Sequence, residues 1–154
     1  MRELIGSFDR QFIDLYFRSR ELIQTTGDTQ LYLRPDENAT SMRASSVGEF
    51  VVRSAAAVEQ MIGGITTRLW DDPFEWTLPE RLRYTEDVLN YLDEVEATRQ
   101  RGFAFFKNDD ELRLTLPAPV EMRSLHEILL ETLASAERLH GQAVALHQMI
   151  KPNE

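Results

Sequence analysis

The chain has 154 residues, no cysteine and a formal net charge of -9. That length suits one domain, which can bury about two-thirds of its unfolded surface without staples, and the absence of thiols excludes disulfides, thiolate metal sites and cysteine nucleophiles. Lys107 and Lys151 are the only lysines and the arginines are scattered among acids, which argues against nucleic acid or an anionic membrane surface as a partner.

The start, MRELIGSFDRQF, mixes charge with apolar residues and does not read as a secretory signal. No apolar run approaches the ~20 residues of a membrane span. The expected compartment is the cytoplasm.

The first predicted helix runs from Glu3 to about Thr26. Its apolar residues are Leu4, Phe8, Phe12, Leu15, Phe17, Leu22 and Ile23, mostly three or four apart. Gly27 follows where a left-handed cap would end it. In the connection TGDTQLYLRPDENATSMRAS, the run Leu31-Tyr32-Leu33 before Pro35 is expected to be extended and to cover one end of the core.

The second helix opens on a capping box, Ser46 with Glu49. Val47, Val51, Ser54, Val58, Met61, Ile62, Ile65 and Leu69 form its main stripe. Ala55–Ala57 and Gly63-Gly64 are narrow enough for close helix approach, at some cost in helical stability. DDPFEWTLPERLRY then breaks the pattern with two prolines. Phe74, Trp76 and Leu78 would anchor it as a crossover along a bundle.

Thr85 is expected to cap the third helix, with Glu86 and Asp87 in its first turn. Val88, Leu92, Val95 and Arg99 share one of its faces. ELRLTLP alternates, so that Leu112, Leu114 and Leu116 would lie on one side of an extended segment ended by Pro117 and Pro119. The acids Asp109-Asp110-Glu111 read as a solvated loop. A second capping box, Ser124 with Glu127, opens the last helix. Its stripe is Leu125, Ile128, Leu129, Thr132, Leu139, Ala143, Leu146 and Ile150. The tail, residues 151–154, is expected to fray. The predicted fold is all-α: four amphipathic helices in one bundle over residues 1–150, with at least one long crossover.

Without cysteine, a metal would need His, Asp and Glu. The histidines are His126, His140 and His147. His140 and His147 are seven residues apart, or ~10 Å along a helix, too far for one ion, and no two histidines have the three- or four-residue spacing that would aim them at one site. Glu137 and His140 are three apart, a spacing common by chance. His140 therefore reads as a surface or interface histidine. No nucleophile elbow or phosphate-binding glycine loop is present, and the acidic run lacks the regular oxygen spacing of a calcium loop. Arg53 lies at the edge of the second helix's core stripe, either snorkelling to water or paired with a carboxylate inside the bundle.

LYLRP, then SVGEFVVRSAAAVEQ, then a crossover, then LLETLASAERLHGQAVALHQ resembles the DinB-like superfamily in order and spacing over nearly the whole chain. The sharpest parts are SVGEF and Gly141-Gln142. The resemblance implies an up-down-down-up four-helix bundle with its long crossover between the second and third helices. Many members bind zinc or nickel through three histidines, in patterns like SVGxxxxH and HxxxHxGQ, and some transfer or isomerise thiol adducts. Carried onto this chain, the ligand positions hold Arg53, Ser135 and Leu139. An arginine stays protonated and a leucine has no donor atom, so the resemblance implies a degenerate site without a metal cofactor.

A candidate pocket follows, made of Glu49, Arg53, Glu131, Ser135 and Leu139, in which Arg53 spans the old ligand site and pairs with Glu131 or Glu49. The leading expectation is a metal-free binding or interaction module, a homodimer as is common in the family, that takes a small anionic ligand between the second and last helices. The alternatives are a thiol-adduct transferase or isomerase using Arg53 in place of the metal, and a metal enzyme with non-standard ligands drawn from His126, His140 or His147 with carboxylates.

Overall fold

A line of residues spaced three and four apart, Ile5, Phe8, Phe12, Leu15, Ser19, Leu22 and Thr26, is buried along helix α1 (Glu3–Gln30) in the computed structural model. Leu4 and Phe17, expected on this stripe, fall off the line and are 55% and 60% exposed. Gly27 has φ 75° and ψ 166°, a conformation reserved for glycine. It breaks α1 where the sequence placed its end, and one further turn follows.

The structure describes residues 1–35, 45–73 and 80–150. The expected anchors Phe74, Trp76 and Leu78 and the expected frayed tail 151–154 lie outside the described residues. Among the described residues the other elements are α2 (Val47–Thr67), α3 (Thr85–Ala104), the antiparallel pair β1 (Thr115–Pro117) and β2 (Met122–Ser124), and α4 (Leu125–Ile150). The architecture is all-α, built on four helices. No helix among the described residues is long and apolar enough to cross a membrane.

Helix ends are held both locally and from afar. Ser46 Oγ accepts the Glu49 N–H at 3.2 Å and Ser124 Oγ the Glu127 N–H at 3.1 Å. Thr85 is the first residue of α3 rather than its cap. Its N–H and Oγ1 donate to Asp28, at the end of α1, at 2.7 and 2.8 Å. The acidic run expected to be a solvated loop has a role too. Asp109 accepts the Leu4 and Ile5 N–H groups at 3.0 and 3.1 Å, satisfying free donors at the start of α1.

Two sequence expectations change at element ends. Arg68 adopts a left-handed φ of 62° and closes α2, so Leu69 leaves the stripe and is 60% exposed. Trp70 then folds back over Gly64, where a Cβ would overlap its indole. This glycine admits the returning chain rather than a neighbouring helix. Leu112 and Leu116 are buried but Leu114 is 60% exposed: Asp109–Arg113 coils into a 3-10 turn, and alternating burial runs only from Thr115 to Ala118.

Contacts fix the helix directions. Phe8 meets His126, Ser19 meets His140 and Thr26 meets His147, so α1 and α4 run in the same sense. Asp9 meets Arg99 and Tyr16 meets Asp93, so α3 runs against α1. Glu59 meets Tyr91 and Ile62 meets Gly102, so α2 runs with α3. The connection from α2 to α3 must therefore travel the length of the bundle. Trp70 at its start bonds the Pro117 carbonyl at 3.0 Å, while Leu82 near its end receives the Tyr32 hydroxyl at the other pole.

Candidate functional site

Ser54 Oγ on α2 donates to the Ala136 carbonyl on α4 at 2.8 Å, and Ala136 is wholly buried. This contact sets Arg53 and Ser135, their chain neighbours, at one level of the α2–α4 seam. Both are half-buried, as is Leu139, whose side chain packs on the core. Arg53 and Ser135 therefore lie near one another along the seam.

The two acids of the candidate pocket are engaged elsewhere. Glu49, buried in the first turn of α2, accepts Arg34 Nε at 3.1 Å and Nη2 at 2.9 Å, together with the Ser46 hydroxyl at 3.1 Å. Glu131 is exposed and pairs with Arg123 at the base of α4. Each carboxylate therefore has a cation other than Arg53 against it. These cations come from a loop and a strand that helix periodicity does not place. Ser135 accepts a long bond from Arg138 at 3.5 Å. Among the described residues no three His, Cys, Asp or Glu side chains come together in a group that could hold a metal ion.

The two stretches that carry the family resemblance near the start of the chain lock together. The Gly48 N–H donates to the Leu31 carbonyl at 2.8 Å. Tyr32 lies so close that a Cβ on Gly48 would come within 2.7 Å of its ring. Arg34 closes on Glu49 from the same segment. LYLRP is thus clasped over the N-terminus of α2, with Leu31 fully buried. Leu33 remains 43% exposed, so only part of this run covers the core. Burial first, then the Glu49 and Asp87 carboxylates, pushes the Tyr32 hydroxyl well above the usual phenol range.

A second polar centre lies in the core, where sequence reasoning did not look for a site. Arg99 on α3 is fully buried. Its Nε and Nη2 donate to Glu96 at 2.9 and 2.6 Å, and its Nη1 to Asp9 on α1 at 2.8 Å. Phe103 stacks on the guanidinium at 4.7 Å and Phe12 lies at 5.7 Å. A cavity of about 30 Å³ adjoins it, bounded by Ser19, Ser54, Glu96 and Arg99 among apolar side chains. That is room for about one water. The available signal was a charged residue three positions after an acid on an otherwise apolar face, Val88-Leu92-Val95-Arg99.

His140 is not a surface residue. It is 4% exposed and its Nδ1 lies 3.4 Å from Ser19 Oγ. Burial, then the nearby Arg18, lowers its pKa from the ordinary value, while Glu137 and Asp14 act the other way. Its neutral ring is therefore favoured inside the seam.

No model of a known protein family matches the chain, and no curated protein matches it either.

Proposed function

We propose that residues 1–150 form a single DinB-like bundle, of the up-down-down-up arrangement, that acts as a binding or interaction module in the cytoplasm. In this reading the metal-dependent chemistry of that superfamily has been lost. The observation that carries it is the set of side chains at the positions where the resemblance would put metal ligands: Arg53, Ser135 and Leu139. A guanidinium, a hydroxyl and an isobutyl group make a poor ligand set for a divalent ion. The directions of the helices and the clasp between LYLRP and the opening of α2 support the same reading.

The ligand this seam would take is a small anion, such as a carboxylate, held by the half-buried Arg53 of α2, with the half-buried Ser135 of α4 as a second polar group. The assembly we propose is a homodimer, for which light scattering gives a direct mass.

Protein purified without an affinity tag tests the metal-free claim, by elemental analysis and by calorimetric titration with zinc and nickel chloride. No more than trace metal and no saturable binding are expected. One tightly held equivalent of either ion, weakened by changing residues of the α2–α4 seam, would overturn the reading. A thermal-shift series with small carboxylates tests the ligand class. Stabilisation that disappears in Arg53→Ala is expected, and equal stabilisation of both proteins rejects Arg53 as the clamp.

A further inference from the structure

All three histidines of the chain face one seam. His126 packs edge-on against Phe8 with ring centroids 5.9 Å apart, His140 meets Ser19, and His147 meets Thr26 at 3.2 Å. Each partner lies on α1 and each histidine on α4. Ser19 and Thr26 are seven residues apart, and so are His140 and His147. The same hydroxyl-to-imidazole contact therefore repeats two turns along the seam.

The two contacts differ in what they can tolerate. The Thr26 hydroxyl donates its proton to the Leu22 carbonyl at 2.7 Å. Its oxygen must then accept from His147 Nδ1–H, a bond that both the neutral and the protonated ring can make. His147 and His140 both border an open groove with Arg18, Glu21 and Thr25. His140 sits deeper. The charged groups acting on it are Asp14 and Arg18 from α1 and Glu137 from α4, with Arg18 bridging Asp14 and Glu137 in ion pairs. None of the charged residues of α2, Glu49, Arg53 and Glu59, contributes. A proton added to His140 would place a second cation beside Arg18 on a ring that is itself only 4% exposed.

We propose that the α1–α4 seam is an acid-operated joint, in which protonation of the buried His140 loosens α1 from α4 while the pairing of α2 with α3 persists. The joint lies on a different face of α4 from the proposed Arg53 site and does not depend on that reading. The sign follows from linkage. A histidine that prefers to be neutral in the folded chain contributes stability above its unfolded pKa of about 6.5. That contribution fades as pH falls from there toward the folded pKa, because the open form then binds more protons.

Residue-resolved hydrogen exchange on the full chain from pH 7.5 to 5, corrected for intrinsic rates, tests this alongside NMR titration of each imidazole. His140 is expected to titrate below 6.5. Amides on the α4-facing side of α1 are expected to lose at least a few-fold of their protection across that step. Amides of α2 and α3 should keep theirs, and His140→Gln should flatten the step in α1. A His140 titrating at 6.5 or higher overturns the proposal, as does equal loss of protection in α1 and α3. An unchanged acid step in His140→Gln does the same. If that variant does not fold, the titration and exchange of the unaltered chain decide the matter alone.

Discussion

Arg99 and Glu96 form a two-point ion pair inside the bundle, one turn apart on α3, with side-chain exposures of 0% and 8%. Asp9 reaches in from α1 to the third guanidinium nitrogen, so the pair also ties α1 to α3. Burying these charges is tolerable because the hydrogen bonds and the two flanking rings satisfy the guanidinium.

Removing one partner should be far worse than removing the pair. Arg99→Ala leaves Glu96 buried without its counter-charge and opens a void between Phe12 and Phe103. A loss of about 3–5 kcal/mol is expected. Arg99→Met combined with Glu96→Leu replaces the charges by apolar groups of similar size and should cost little or even stabilise, because Asp9, with a side chain 40% exposed, can turn to water. Urea unfolding of the two variants separates these outcomes.

Two glycines should respond to alanine with opposite signs. In an unobstructed helix interior Gly→Ala stabilises by up to about 1 kcal/mol. At Gly141 an added Cβ meets nothing within 4 Å, so Gly141→Ala is expected to gain about 0.5–1 kcal/mol. At Gly48 the Cβ would lie 2.7 Å from the Tyr32 ring and 2.8 Å from the Leu31 carbonyl oxygen. The oxygen is backbone and bonded to the Gly48 N–H, so it cannot move freely. Gly48→Ala should lose about 1–3 kcal/mol through overpacking. Thermal unfolding of both variants checks the pair, and a stabilised Gly48→Ala would contradict the clasp.

Asp28 links α1 to the start of α3. The hydrogen bonds from the Thr85 backbone N–H and then its hydroxyl hold the Asp28 carboxyl below the usual range. A carboxylate depressed in the folded state contributes stability above its unfolded pKa of about 3.9, and that contribution is lost as pH falls through the folded pKa. Asp28→Asn should therefore lower the melting temperature at pH 7 and narrow the difference from the unaltered chain below about pH 4. Melting curves between pH 7 and 2 show whether the difference closes.

What the sequence makes legible depends on how local each cause is. The 3–4 spacing of α1, the Ser46 and Ser124 caps and the break at Gly27 rest on neighbours within a few residues, and all are present. Arg68 and Trp70 end α2 early by a left-handed residue and a reversal onto Gly64, which apolar spacing alone extends to Leu69. The capping of α1 by Asp109 and of α3 by Asp28 joins residues far apart in the chain, which no local pattern encodes. The same holds at the candidate site. Placing Arg53 and Ser135 on facing helices follows from motif order, whereas the partners of Glu49 and Glu131 come from Arg34 and Arg123, on segments whose path only the folded chain reveals. Apolar spacing puts the stripe of α4 through Leu139 and His140 beside it, whereas the buried line runs Ala136, His140, Ala143.

The Arg34–Glu49 pair offers a test of whether SVGEF is structural in this chain. Glu49 has a side chain only 8% exposed, and Arg34 is 48% exposed. Arg34→Ala takes the guanidinium away from a buried carboxylate that also accepts from the Ser46 hydroxyl, and the loop carrying Leu31 and Tyr32 loses this tether. The expected loss is about 1–2 kcal/mol, below the ~3–5 kcal/mol of a fully buried pair, because water already reaches half of the guanidinium. Glu49→Gln removes the charge but keeps an oxygen to accept from Ser46 and Arg34, and the freed guanidinium can solvate, so its loss should stay below about 1 kcal/mol. Urea unfolding of the two variants, with Tyr32 fluorescence reporting whether the clasp has opened, should therefore rank Arg34→Ala as the more damaging. The reverse order would mean that the Glu49 charge itself, rather than the burial of an uncompensated carboxylate, holds this end of the bundle.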